Sequence, residues 1–239
     1  MGKHGKHWAL VRSAFIAAFC LLAAPVDACR LALVLAMDVS SSVDDAEDQL
    51  QRNGLAAALV SPQVIDAFFI SPDPVALQIF EWSGPGHQTD ITDWTMIQSP
   101  ADLLAVSEKL SNSVRSASGL PTAMGYALAH ASIQLQNAPK CLFQTIDVAG
   151  DGPNNAGFGP GSVFASFPFD GVTVNGLVIS AGENKAQAYY QAEVIRGPLS
   201  FVEVADGFAD FEATMQRKLI RELTVQVVGH VAPQTEDHG

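Results

Sequence analysis

Asp38, Ser40 and Ser42 alternate along the segment Asp38-Val39-Ser40-Ser41-Ser42, a spacing that can turn one carboxylate and two hydroxyls toward a common point. A further hydroxyl, Thr122, closes the segment Ser118-Gly119-Leu120-Pro121-Thr122. A second carboxylate, Asp151, lies in Gly150-Asp151-Gly152-Pro153-Asn154-Asn155. Together they are five hard oxygen donors without sulfur or imidazole. Such a set suits Mg²⁺ first, with Mn²⁺ and Ca²⁺ also compatible, rather than zinc. Ser118, Asn154 and Asn155 are expected at the rim, where a ligand would meet the ion.

The same residues have ordinary structural duties open to them. Asp38 and Ser42 could cap a following helix, Thr122 the next one, and Asp151 could make a turn with Gly152. These duties are compatible with metal binding but do not require five donors to converge. His87, His130 and His230 lie in separate segments without metal-ligand spacing and read as surface or structural groups. Trp82 and Trp94 read as strand-packing aromatics. Gly157, Gly159 and Gly161 make a flexible loop, and no Gly-Lys-Ser/Thr follows to make it a phosphate cradle.

Positioning the five donors requires strands that end together. Leu31 to Met37 and Leu142 to Ala149 are apolar runs of the kind found in buried parallel strands, each preceded by a cysteine, Cys29 and Cys141. From Cys29 to Asp38 is 9 residues, and from Cys141 to Asp151 is 10. If the two strands are parallel neighbours, the register that pairs the cysteines at one end brings Asp38 and Asp151 together at the other, and in an oxidising compartment the cysteines form a disulfide. Helices are expected from Ser42-Val43-Asp44-Asp45 through Ala58, from Pro62 through Phe69, over Ala101–Leu110, from Pro121-Thr122 through Ile133, over Lys185–Ile195 and over Phe208–Leu223. Strands are expected over Val75–Trp82, Gln88–Ile97, Val172–Ile179 and Phe201–Ala205. This alternation predicts one doubly wound α/β domain with a mostly parallel central sheet and one antiparallel edge strand, its ligand site where the strand order reverses.

In order along the chain, Asp38, Ser40, Ser42, Thr122 and Asp151 resemble the metal-ion-dependent adhesion site (MIDAS) of the von Willebrand factor A (vWA) domain, written Asp-x-Ser-x-Ser, a distant Thr and a distant Asp. Longer phrases are similar to an exported bacterial family of this fold with no assigned activity. They are Leu-Val-Leu-Ala-Met-Asp-Val-Ser-Ser-Ser-Val-Asp from Leu33, Phe-Glu-Trp-Ser-Gly from Phe80, Ile-Asp-Val-Ala-Gly-Asp-Gly-Pro-Asn-Asn from Ile146, and Tyr-Tyr with Gly-Pro at Tyr189 and Gly197. The resemblance spans roughly Cys29 to Leu223. It implies that the Ser pair and, with ligand, Thr122 contact the metal directly, that the Asp residues act largely through water, and that one coordination position is left for a carboxylate from outside. A protein partner supplying Asp or Glu is the implied ligand.

The rest of the composition bounds the function. The 239 residues carry 13 Lys and Arg against 25 Asp and Glu, a formal net charge of -12, and no basic block follows the first dozen residues. The electrostatic attraction on which nucleic-acid binding depends is absent. Lys3, Lys6 and Arg12, followed by the apolar run Ala14 to Ala24 and Val26-Asp27-Ala28, read as a secretory signal over residues 1–28, leaving a domain over 29–225 and a polar tail over 226–239. The apolar run is shorter than a membrane span requires, so no integral span is expected after removal of the signal. A periplasmic or secreted location follows. Cys29 directly after the cut also permits lipoprotein processing, although Asp27 fits that signal poorly. The expected function is a noncatalytic metal-dependent binding module. The alternative is a metal-assisted hydrolase or phosphatase, for which no general base or nucleophile set is evident, since Ser40 stands where a dehalogenase-like enzyme would carry its second Asp.

Overall fold

The computed structural model describes residues 1–2, 29–180, 182 and 185–228. Residues 3–28 of the expected signal segment, His230 and the end of the tail lie outside the described residues. The chain forms β1 (Cys29–Asp38), α1 (Asp45–Leu59), α2 (Pro62–Phe68), β2 (Val75–Trp82), β3 (Gln88–Asp90), β4 (Thr95–Ile97), α3 (Pro100–Ser111) and α4 (Met124–Gln136). It continues through β5 (Cys141–Gly150), α5 (Pro160–Ser166), β6 (Val172–Ile179), α6 (Lys185–Tyr189), a π-turn (Tyr190–Val194), β7 (Val202–Ala205) and α7 (Phe211–Val228).

The sheet order is β3-β2-β1-β5-β6-β7, with β4 also on the edge of β2. β2, β1, β5, β6 and β7 are parallel, and β3 and β4 are antiparallel to β2. β1 is buried throughout, and its alternation divides the core. Leu31, Leu33, Leu35 and Met37 face α1, α2, α3 and α7, while Ala32, Val34 and Ala36 face α4, α5, α6 and Tyr190. The smaller residues on the second face leave room there for bulkier groups, including the fully buried Trp82 and Tyr190. No described helix is long and apolar enough to cross a membrane.

Four expectations differ locally. The single strand over Gln88–Ile97 is two short ones, because Ile91 and Thr92 both donate their N–H to the Ile79 carbonyl while Thr92 Oγ1 accepts from Ile79 N, a bulge that interrupts the ladder. α4 begins at Met124, since Thr122 bonds a neighbouring loop and does not cap the helix. The helix expected over Lys185–Ile195 keeps α geometry only to Tyr189, and the Ile195 N–H then reaches back to the Tyr190 carbonyl. The glycine loop at 157–161 leads into α5 and is packed: Tyr126 and Phe158 stack at 4.2 Å between ring centroids, and a Cβ on Gly125 would lie 2.1 Å from the Phe158 carbonyl oxygen.

β1 and β5 pair in parallel with Cys29 opposite Cys141 and Met37 opposite Ala149, and the cysteines are joined in a disulfide across 112 residues of chain. Closing a loop of this length removes much of the unfolded chain's freedom. Replacing both cysteines by serine is expected to lower unfolding stability by about 2–4 kcal/mol, measured by denaturant titration of the oxidised and variant proteins. Equal midpoints would contradict a stabilising role for the crosslink.

Candidate metal centre

β1 is where the strand order reverses. The chain passes through α1 and α2 to β2 on one side, and β5 lies on the other, so the ends of β1 and β5 flank the crevice in which open α/β sheets bind ligands. Asp38 ends β1, and Asp151 follows directly on Gly150 at the end of β5. Asp38, Ser40 and Thr122 are buried, Asp151 is partly exposed and Ser42 is exposed. The group therefore has a dry floor and a wet mouth.

The five residues form a chain of polar contacts, through the Ser40 backbone amide at Asp38 and through side chains elsewhere. Asp38 Oδ1 accepts from Ser40 N at 2.7 Å, Ser40 Oγ and Ser42 Oγ lie 3.2 Å apart, and Ser42 Oγ donates to Asp151 Oδ1 at 2.8 Å. Thr122 Oγ1 donates to Ser40 Oγ at 3.1 Å. Helix capping does not account for these residues: α1 is capped by Asp44 in a reciprocal box with Glu47, and α4 has Ala123 at its cap position with no side-chain bond. One buried oxygen, Asp38 Oδ2, has no hydrogen-bond partner among the described residues. Two carboxylates, three neutral hydroxyls and an unpartnered buried carboxylate oxygen fit a hard divalent cation. Among the described residues no cluster of three or more His, Cys, Asp or Glu could hold a metal, which follows from a set built mainly of hydroxyls.

The loops carrying these groups are tied from several directions. Ser41 N donates to the Leu120 carbonyl at 2.7 Å, joining the Ser40 and Thr122 loops. Arg115 Nη2 donates to the carbonyls of Val39 at 2.7 Å and Ser40 at 2.9 Å, and Gln51 Nε2 donates to the Asp38 carbonyl at 2.9 Å. The loop bearing Arg115 is fixed by Ser116 N on Glu81 Oε1 at 2.6 Å, and the other Glu81 oxygen is paired with Arg52, itself bonded to Asp48 and Ser113. Asn155 Oδ1 accepts from Thr122 N at 2.9 Å and so braces the Thr122 loop, and Asn154 Oδ1 accepts from Gly125 N at 3.4 Å in the first turn of α4. Ser118 is exposed and lines a separate cleft of about 550 Å³ with Asp45 and Arg115. A cleft of about 510 Å³ lined by Glu47, Asp151, Ile179 and Phe208 adjoins the mouth.

Burial first, and the charge of Asp151 second, push the Asp38 carboxyl up from 3.8 to about 7; bonds from Ser40 and the charge of Arg115 oppose this less strongly. Elsewhere the aromatic and histidine expectations meet plain surroundings. Trp82 is core, Trp94 Nε1 donates to the Gln134 carbonyl at 3.2 Å, His130 pairs with Asp90 at 2.8 Å, and His87 is exposed. Arg115 and Tyr190 escaped the sequence reading. A signal existed for Arg115, the lone cation between Lys109 and Lys140 and just ahead of Thr122.

Residues 28–227 match a family model described as "Protein of unknown function (DUF1194)". No curated protein matches the chain. Among solved structures, the chain is similar to proximal thread matrix protein 1 from the mussel byssus, "with zinc occupied MIDAS motif", at 15% identity and TM-score 0.59 over 81% of this chain and 48% of that one. It is similar to a von Willebrand factor type A protein from Catenulispora acidiphila, at 15% identity and TM-score 0.57 over 83% and 43% of the two chains. A third is the pilus adhesin SpaC from Lactobacillus rhamnosus GG, at 13% identity and TM-score 0.56 over 82% and 31%. The chain spans less than half the length of each. At these identities the likeness establishes a vWA-type fold.

The raised Asp38 pKa has a definite sign in folding. The native carboxyl holds its proton to about pH 7 while the unfolded one releases it near 3.8, so the group's contribution to stability is fully present below 3.8 and lost as pH rises through 7. In chelator, stability is expected to fall between pH 4 and pH 7 and to fall less in Asp38→Asn, measured by denaturant titration across that range. Identical slopes in the two proteins would contradict the assignment.

Proposed function

The chain belongs to the family of proteins of unknown function designated DUF1194, and from that premise we propose that it is an exported vWA-type binding module in which Asp38, Ser40, Ser42, Thr122 and Asp151 hold a divalent cation that recruits a carboxylate from a protein partner. The observation that carries this reading is the unbroken polar chain from Asp38 through Ser40 and Ser42 to Asp151, with Thr122 joined at Ser40 and Asp38 Oδ2 unpartnered. Mg²⁺, Mn²⁺ or Ca²⁺ would supply a Lewis-acidic point able to accept one further oxygen ligand.

The chain's own residues do the rest. Ser40 N and Arg115 favour the ionised form of Asp38, and the hydroxyls of Ser40, Ser42 and Thr122 add donors without adding charge, so the two carboxylates would just balance a dication and leave it electrophilic inside an acidic protein. Asn155 fixes Thr122 from below, and the cleft beside Asp151 leaves space for the partner's chain around its acidic residue. The disulfide between Cys29 and Cys141 supports passage through an oxidising compartment, as do the extracellular settings named for the mussel byssus protein and the pilus adhesin.

Calorimetric titration of the chelator-stripped protein with Mg²⁺ and Mn²⁺ is expected to give one site, weakened at least about tenfold in Asp38→Ala and Thr122→Ala while circular dichroism stays native. Affinity capture from the exported fraction should then retain partners only without chelator and only with wild-type protein. Partners held equally in chelator and by Asp38→Ala would reject metal-mediated recognition.

A further inference from the structure

Tyr190 is wholly buried, and its hydroxyl has no hydrogen-bond partner among the described residues. It opens the π-turn that follows α6, the kind of helix irregularity that often re-aims a side chain toward a functional site. Its position depends on two glycines in adjacent strands. A Cβ on Gly176 of β6 would lie 2.5 Å from Tyr190 Cδ1, so the ring lies against that bare backbone. A Cβ on Gly150 of β5 would lie 2.6 Å from Tyr190 Oη and 2.9 Å from Asp38 Oδ2. Gly176 pairs with Val148, two residues before Gly150, so both glycines open the same face of the sheet. The two unpartnered oxygens thus converge on one gap over Gly150, beneath the mouth formed by Ser42 and Asp151.

We propose that Tyr190 is a positioning residue of the metal centre, its hydroxyl acting on Asp38 Oδ2 through one water in the gap over Gly150. The inference rests on the metal-binding reading above and extends it to a residue outside the five-donor set. Asp38 Oδ1 is already held by Ser40 N, and a carboxylate oxygen has room for two contacts, so a donor on Oδ2 fixes the plane of the carboxylate and leaves a lone pair directed at the ion. Burying a phenol and a carboxylate oxygen beside one gap without a partner among the described residues is costly, and a water bonded to both would remove both costs. The two glycines have the same explanation: a side chain at either position would displace the ring or fill the gap.

The test is Tyr190→Phe, which keeps the ring on Gly176 and removes a single oxygen. Mn²⁺ and Mg²⁺ affinities measured calorimetrically are expected to fall about tenfold, with the melting temperature in chelator unchanged. The tyrosine difference absorbance that Mn²⁺ produces in the wild type should be reduced in the variant. Affinity within twofold of a metal-binding wild type would overturn the inference and leave the five-donor reading standing. A lost affinity accompanied by a lower melting temperature in chelator would also overturn it, since that marks a packing role. A wild type that takes up no metal would remove the parent reading and this one together.

Discussion

A carboxylate buried at the end of β1 and facing a second one at the end of β5 is the constraint around which this domain is arranged. Burial and like charge both work against ionisation of Asp38, and its pKa of about 7 records that conflict. Left alone, such a pair would be a defect. Here the Ser40 amide, the guanidinium of Arg115 and a relay of three hydroxyls surround it, so that the cost of bringing the charges together is partly offset before any cation arrives. The remaining deficit is what a dication would relieve, and it gives the fold a reason to bind one.

Two buried polar assemblies hold the strands that carry this pair. On one side Arg52 links Asp48 of α1 to Glu81 of β2, and Glu81 in turn holds the loop of Arg115. On the other, Lys218 of α7 reaches Asp147 of β5 at 2.8 Å and Glu222 at 2.5 Å, while Asn175 of β6 donates to Glu222 at 2.7 Å. Each is costly unless its geometry is satisfied, and each therefore specifies one arrangement of helix against sheet. The disulfide sets the register at the opposite end of β1 and β5 from the carboxylates. The site is consequently supported by strands whose sliding is resisted at both ends.

Much of this was legible in the sequence because it depends on spacing along buried strands. Nearly equal distances from Cys29 to Asp38 and from Cys141 to Asp151, 9 and 10 residues, predict the pairing of β1 with β5, and the apolar runs between them predict their burial. The oxygen donors were legible as types in order. Less visible were features that depend on loops and on side chains from distant elements. The clamp by Arg115 uses backbone carbonyls, which leave no sequence pattern; nor does the sequence show that Asn155 braces Thr122, that Asn154 meets the start of α4, or that Ser118 faces another cleft. The bulge at Ile91 and Thr92 and the π-turn at Tyr190 arise from a single extra residue each, below what periodicity resolves. Gly150 and Gly176 were the one written hint that something approaches the sheet closely there.

The most direct measurement is anomalous diffraction from crystals grown with Mn²⁺. The account predicts one strong peak within coordination distance of Ser40 Oγ and Ser42 Oγ, bordered by Asp38, Thr122 and Asp151. A map with no peak among these five residues, or with the manganese bound only elsewhere on the acidic surface, would contradict it.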